Sequence, residues 1–476
     1  MTRTRTTAVA VVVMSLAAIS AGAWGLSRWR PLDHEPATVA WPENVQPIVD
    51  YIEQETDLRF LSAIDFEYIG DDDRYNDRVR DPEQELSQAD RDGIAVDEAV
   101  GRALGVWADD ASLTESYATV NRAAPRPVRW LPDSDVVIIN ASDEQATLSP
   151  AVRADLVVYL TQAVADQNFH LIKRREASTT SQGFDAVASV HIGYALLIHD
   201  RYVDDLSSRD RELYEAESAE QSEAYANSVD SVPASYKAIR IAFQVLGAAF
   251  MTTLAEDDPA LLLQALSTQV PVALDQVSLP TAKYLRNDAL ESVAAPSGPR
   301  GATVHYREQL GPFRLFLMFA AGLPTNEALT AADGWGNDRY TAYELDGREC
   351  ADIHIVADSP ADADRMERAL NRWAFTRPSS ANALVGRDGV NLYASVCDPG
   401  ADSQQTVPGD DAINQYFGRS DFLQYQATSS GKPALAECIA TDLYAQFTFE
   451  QIASETPNSE LEAAYVAIED ECRNSI

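Results

Sequence analysis

The segment Leu148–Leu171 reads LSPAVRADLVVYLTQAVADQNFHL, and the rest of the 476-residue chain is best read outward from it. Ser149 is a strong helix N-cap, because its hydroxyl accepts from an otherwise orphaned N–H of the first turn. Pro150 suits the first helical position, where no amide bond is lost. A helix is expected from there to about Gln167. Further helices are expected near 184–202, 212–226 (polar and exposed), 238–254, 259–268 and 313–323, the last apolar enough to be buried. Upstream, Val45, Ile48, Val49 and Ile52 recur at helical spacing, as do Val96, Val100, Leu104 and Trp107. Residues 60–69 and 136–140 read as extended. Downstream the character changes. Residues 340–345, 350–356 and 390–396 read as strands, with a helix over 361–374 between the second and third. The expected class is α+β. A mainly helical body over 45–330 precedes a small β-β-α-β unit over 331–400, and a loop with C-terminal helices fills 401–476.

The N-terminus predicts a membrane segment. Arg3 and Arg5 precede an apolar run from Ala8 to Leu26, near the length a spanning helix needs. Ala21-Gly22-Ala23 also has the small-x-small pattern of a signal-peptidase site, so cleavage and retention both fit. Arg28 and Arg30 follow at once, which leaves the charge bias across the run weak. We take residues 1–30 as an uncleaved signal-anchor, 31–44 as a stalk and the body as extracytoplasmic, with secretion after cleavage as the alternative. Nothing later reads as apolar enough to span again.

Acidic residues outnumber basic ones by 74 to 37, a formal net charge of -37. Such a surface repels nucleic acid, and no nucleic-acid partner is expected. The four cysteines, Cys350, Cys397, Cys438 and Cys472, contain no CxxC pair, which argues against a zinc ribbon or a redox motif. Four cysteines allow three pairings. We favour Cys350–Cys397 and Cys438–Cys472, each joining neighbouring expected elements and each contributing about 3–4 kcal/mol in the loop-entropy model.

With the helix placed, its residues resemble those of a family of exported zincin-like zinc metallopeptidases. In that family the helix reads His-Glu-Leu-Thr-His-Ala-Leu-Gln-Asp-Gln-His-Phe. Leu160, Thr161, Ala163, Asp166, Gln167 and Phe169 match. The resemblance then puts Val158 and Gln162 where the two zinc histidines stand, and Tyr159 where the catalytic glutamate stands. Two residues four apart share a helix face and can offer two imidazoles to one zinc, with the glutamate as general base on the zinc-bound water. Val158 has no lone pair, Gln162 offers a neutral amide, and a phenol stays protonated near neutral pH. The family's third ligand sits in Glu-Gly-Asp-Ala; here Ile192-Gly193-Tyr194-Ala195 takes that place. FQVLGAAFMTTL (243–254), Leu279-Pro280-Thr281 to Tyr284-Leu285, and Gly334-Trp335-Gly336-Asn337-Asp338-Arg339-Tyr340 extend the similarity over roughly 45–400.

The resemblance implies a peptidase-shaped body that does not cut: no metal, no cofactor, and a peptide or envelope protein as ligand or regulated partner. Tyr159, Tyr194 and His191 are the candidate groove residues, against the simpler alternative that the tyrosines only fill a vacated cleft. His170 and His191 are the nearest means of rebuilding a metal site. The Gly-Trp-Gly-Asn-Asp block is expected to be a tight turn with Trp335 packed against the domain junction. An active hydrolase with a non-zinc or rebuilt site, and a purely structural envelope protein, are the competing functions.

Overall fold

The computed structural model describes residues 40–475 apart from 80–85, 109, 124–125, 401–402, 404, 455 and 457. The apolar run expected to anchor the chain lies outside the described residues. The chain divides into two compact units. Among the described residues, the first takes 40–79, 116–170 and 195–232; the second takes 86–115, 171–194 and 233–475. Each unit is assembled from separated stretches, which a pass along the chain cannot see.

In the first unit the helix Pro150–Phe169 forms where its caps place it. Ser149 Oγ accepts from Val152 N at 3.4 Å, and His170 ends the helix in the left-handed region at φ 56°. Residues 154–165 are buried on every side, as expected of a helix enclosed by its neighbours rather than laid on a surface. It packs on helices Gln46–Thr56 and Ser208–Ser228. Ser149 Oγ donates to Glu217 at 2.6 Å and Arg153 pairs with Asp210 at 2.8 Å, fixing the otherwise polar 208–228 helix. Strands β1 (Asp65–Tyr68), β2 (Val128–Leu131) and β3 (Val136–Ile139) form a sheet of order β1-β3-β2, β1 parallel and β2 antiparallel to β3. The extended stretch expected over 60–69 is regular strand only at its end.

The second unit carries a five-stranded antiparallel sheet of β4 (Thr303–Glu308), β5 (Trp335–Leu345), β6 (Arg348–Ala357), β7 (Leu384–Asp388) and β8 (Asn391–Cys397), in the order β4-β5-β6-β8-β7. The expected β-β-α-β unit is its centre, with helix Pro360–Thr376 as the crossover. Asp346 and Gly347 turn β5 into β6 with φ 52° and 76°, both positive as a two-residue hairpin loop of this hand demands. The Gly-Trp-Gly-Asn-Asp block is not a turn but the entry to β5. Trp335 is fully buried, and the Asp338 carboxylate accepts from Leu310 N, Gly311 N and Trp335 Nε1, each at 2.8 Å. Asp338 thereby satisfies the first free amides of helix Gly311–Ala320, the buried helix expected near 313–323.

Helices Ser181–Asp204 and Ala234–Asp257 cross at two glycines. A Cβ on Gly193 would meet Gly247 O at 2.1 Å, and one on Gly247 would meet Ser189 O at 2.2 Å. Among the described residues, helix Ala234–Asp257 is the one long and apolar enough to cross a membrane, which corrects the expectation that nothing after the N-terminus is. Its apolarity has another use here: Leu246, Phe250, Met251 and Leu254 are wholly buried, and helix Asp410–Ser430 packs along it. Both favoured disulfides are present. Cys350 and Cys397 face one another across β6 and β8, and Cys438–Cys472 ties helix Pro433–Gln446 to helix Ser459–Ser475.

Candidate functional site

Val158, Tyr159 and Gln162 stand on the enclosed helix of the first unit and are 4%, 4% and 7% exposed. Gln162 Nε2 turns back toward Val158 O at 3.5 Å. Around Tyr159 the unit has gathered charge. Arg126 pairs with Asp155, one turn before Tyr159, at 2.6 Å, and Tyr75 Oη donates to Arg126 O at 2.6 Å. The Arg129 guanidinium also lies near the Tyr159 hydroxyl. Burial pushes its ionisation above the usual range and Asp155 adds to this, while Arg129 and Arg126 oppose it. The phenol is therefore a neutral group inside a paired network. His199 lies in the same unit, its Nδ1 2.9 Å from Asp200 and its Nε2 3.2 Å from Tyr214 Oη.

His191, Ile192 and Tyr194 belong to the second unit and are 4%, 2% and 3% exposed. Gly193, between them, is the closest point of the helix crossing. Tyr159, Tyr194 and His191 thus offer a ligand almost no surface as they stand. Cys438, Asp442 and Cys472 have the look of a ligand cluster, yet both sulfurs are committed to the disulfide and supply no thiolate.

The most concentrated charge site lies elsewhere in the second unit, at residues that sequence reasoning passed over. Pro280–Tyr284 is a π-helical turn, a form that recurs at functional positions. Its amides at Thr281 and Ala282 donate to the buried Glu437 at 2.6 and 2.7 Å. From it Lys283, itself buried, reaches Asp358 at 2.5 Å, Asp288 at 2.8 Å and Asp275 at 3.8 Å. Burial pushes Asp275 up to about 7 against the pull of Lys283, and burial raises Asp358 in the same sense. Asp358 and Asp288 each accept from the ammonium, and Asp275 stands just beyond hydrogen-bond reach as a third opposite charge, so the cluster works as a clamp. The only sequence signal was Lys283 itself, set in the otherwise apolar stretch that extends the resemblance; its partners are dispersed over 275–358.

Residues 302–403, which hold all five strands of the second unit's sheet, match a family described as a domain of unknown function (DUF8575). The matched stretch begins at β4, upstream of the 331–400 unit expected from the sequence. No curated protein and no solved structure matches the chain.

Proposed function

We propose that this chain is a catalytically inactive relative of zincin-like metallopeptidases, held outside a membrane, whose body binds or regulates a peptide or envelope protein. The observation that carries this reading is the environment of Tyr159. Where the resemblance calls for a general base, a neutral phenol is locked into an arginine–aspartate network, with Val158 and Gln162 buried beside it. Supporting it, the glycines of the resembled motifs, Gly193 and Gly247, have a packing role that survives loss of the metal. Two disulfides fit an oxidising compartment, and the N-terminal apolar run supplies the anchor.

The test is a paired assay on the purified chain, measuring zinc by elemental analysis and cleavage of an unstructured protein substrate with and without chelator. We expect less than stoichiometric zinc and no cleavage. Chelator-sensitive cleavage would sink the reading. Chelator-resistant cleavage lost on substitution of one carboxylate would favour a hydrolase with a different site.

A further inference from the structure

Where β4 runs into helix Gly311–Ala320, two helices meet so closely that a Cβ on Gly311 would strike the Gln182 side chain at 2.0 Å. Gln182 Nε2 donates to Leu310 O at 3.2 Å across the same contact. Three residues further along each helix come Asp185 and Arg314. A step of three keeps a residue on the same helix face, so the two project from the contact on the faces that meet there. Each is near enough to shift the other's protonation. Yet neither Arg314 nor the Asp185 carboxyl has a hydrogen bond or an ion pair among the described residues.

The surrounding groups are engaged with others. Tyr306 Oη donates to Asp97 at 2.5 Å, which occupies that acid. Glu308 accepts from Ser181 N at 3.2 Å. Arg175 lies over the Phe184 ring, 4.9 Å from its centre. Tyr306 and Tyr340 stand edge to face at 6.0 Å and form an aromatic wall beside Arg314. Arg314 and Asp185 are each half-buried, so both are crowded by protein while part of each side chain stays open to solvent. A desolvated guanidinium without a carboxylate in contact is costly, and so is the opposing acid without a cation.

We propose that Arg314 and Asp185 are the two poles of a binding site for a small zwitterion of the α-amino acid class, its carboxylate on Arg314 and its ammonium on Asp185. A planar guanidinium grips a carboxylate through two parallel N–H bonds, and an ionised carboxyl is the natural partner of an ammonium. The two tyrosine rings beside Arg314 favour a ligand whose side chain is apolar or aromatic. This site does not depend on how the 150–169 helix is read.

Asp185 also gives the site a pH signature. Burial raises its carboxyl to about 6, with Glu308 pushing the same way and Arg314 and Arg175 opposing. An ammonium takes the ionised form alone, so affinity climbs about tenfold from pH 5 to pH 7 as the ionised fraction rises from about one tenth to about nine tenths. A ligand with only an anionic end would be helped by the protonated acid and would lose affinity over the same interval.

The experiment is thermal-shift screening of the purified full-length chain against the proteinogenic L-amino acids at millimolar concentration, followed by calorimetric titration of the best one. Acetate alone and methylammonium alone serve as controls. We expect at least one amino acid to raise the melting temperature while neither control does. Asp185→Asn, which keeps size and shape, and Arg314→Gln should each weaken binding by about tenfold or more. Arg314→Lys retains the charge without the fork and should fall between. No shift with any amino acid overturns the proposal. So does binding that survives both Asp185→Asn and Arg314→Gln, an equal shift with acetate alone, or affinity that falls from pH 5 to pH 7.

Discussion

Lys283 and Arg314 are both cations withdrawn from bulk water in the second unit, and their surroundings treat them in opposite ways. Lys283 donates to Asp288 and Asp358 and has the charge of Asp275 at 3.8 Å. Arg314 has carboxylates nearby and none in contact. A saturated buried cation is an element of structure, because removing it strands the acids that surround it. An unsaturated one contributes little to folding as it stands, and its electrostatic potential is left for something that arrives later. The first unit's Arg126 belongs with Lys283: it is paired with Asp155, and Tyr159 lies within the field of both.

The contrast fails or holds first at Lys283. Lys283→Met should destabilise the protein by about 3–5 kcal/mol in chemical denaturation, since it leaves buried carboxylates uncompensated. A loss below about 1 kcal/mol would mean that the clamp is not structural. Next comes the first unit. Arg126→Leu should cost about 3 kcal/mol, and adding Asp155→Leu should recover most of it, because the pair is worth less than either partner left alone. Failure of the double variant to recover would place the cost in packing.

Acidity gives a smaller effect. Asp275 is raised to about 7, and Asp185 and Asp421 to about 6, burial being the first cause in each. Their folded-state values exceed the unfolded one near 4, so the folded state binds more protons over about pH 4–7. Their contribution is therefore most favourable below about pH 4 and is lost as pH rises through 6 to 7. The melting temperature should be a few degrees higher near pH 5.5 than near pH 8, and Asp275→Asn should flatten that slope. The smallest effect is expected at the unsaturated cation. Arg314→Gln, without ligand, should leave stability unchanged or raise it by up to about 1 kcal/mol, because it removes a desolvated charge that no carboxylate contacts.

The elements legible in the sequence were those with a local signature. The Ser149-Pro150 start located the long helix to within two residues at its far end, and the apolar 313–323 run marked a buried helix. The strands flanking Cys350 and Cys397 were long and apolar enough to declare themselves. β4 and β7 were not. TVHYRE and LVGRD alternate in burial at the sheet edges and carry too few apolar residues to stand out. The charge clusters were invisible for a different reason. Asp275, Lys283, Asp288 and Asp358 come together through the tertiary fold, as do Asp185 and Arg314, and no spacing rule spans such separations. Asp338 sat inside a block expected to be a turn. Its function as the cap of the 311–320 helix depends on a strand pairing that lay beyond local pattern.

The interleaving of the two units sets an order of assembly. The first unit is complete once residue 232 has been made, whereas the second needs 86–115 and 171–194 to wait for everything from 233 onward. During synthesis those two stretches emerge long before their partners, and Asp185 has no opposite pole until the 311–320 helix brings Arg314. No single cut in the chain separates the units as intact pieces. A nascent chain halted just beyond residue 232 should already protect helix Pro150–Phe169 from protease, while 171–194 stays open to it until the polypeptide is finished.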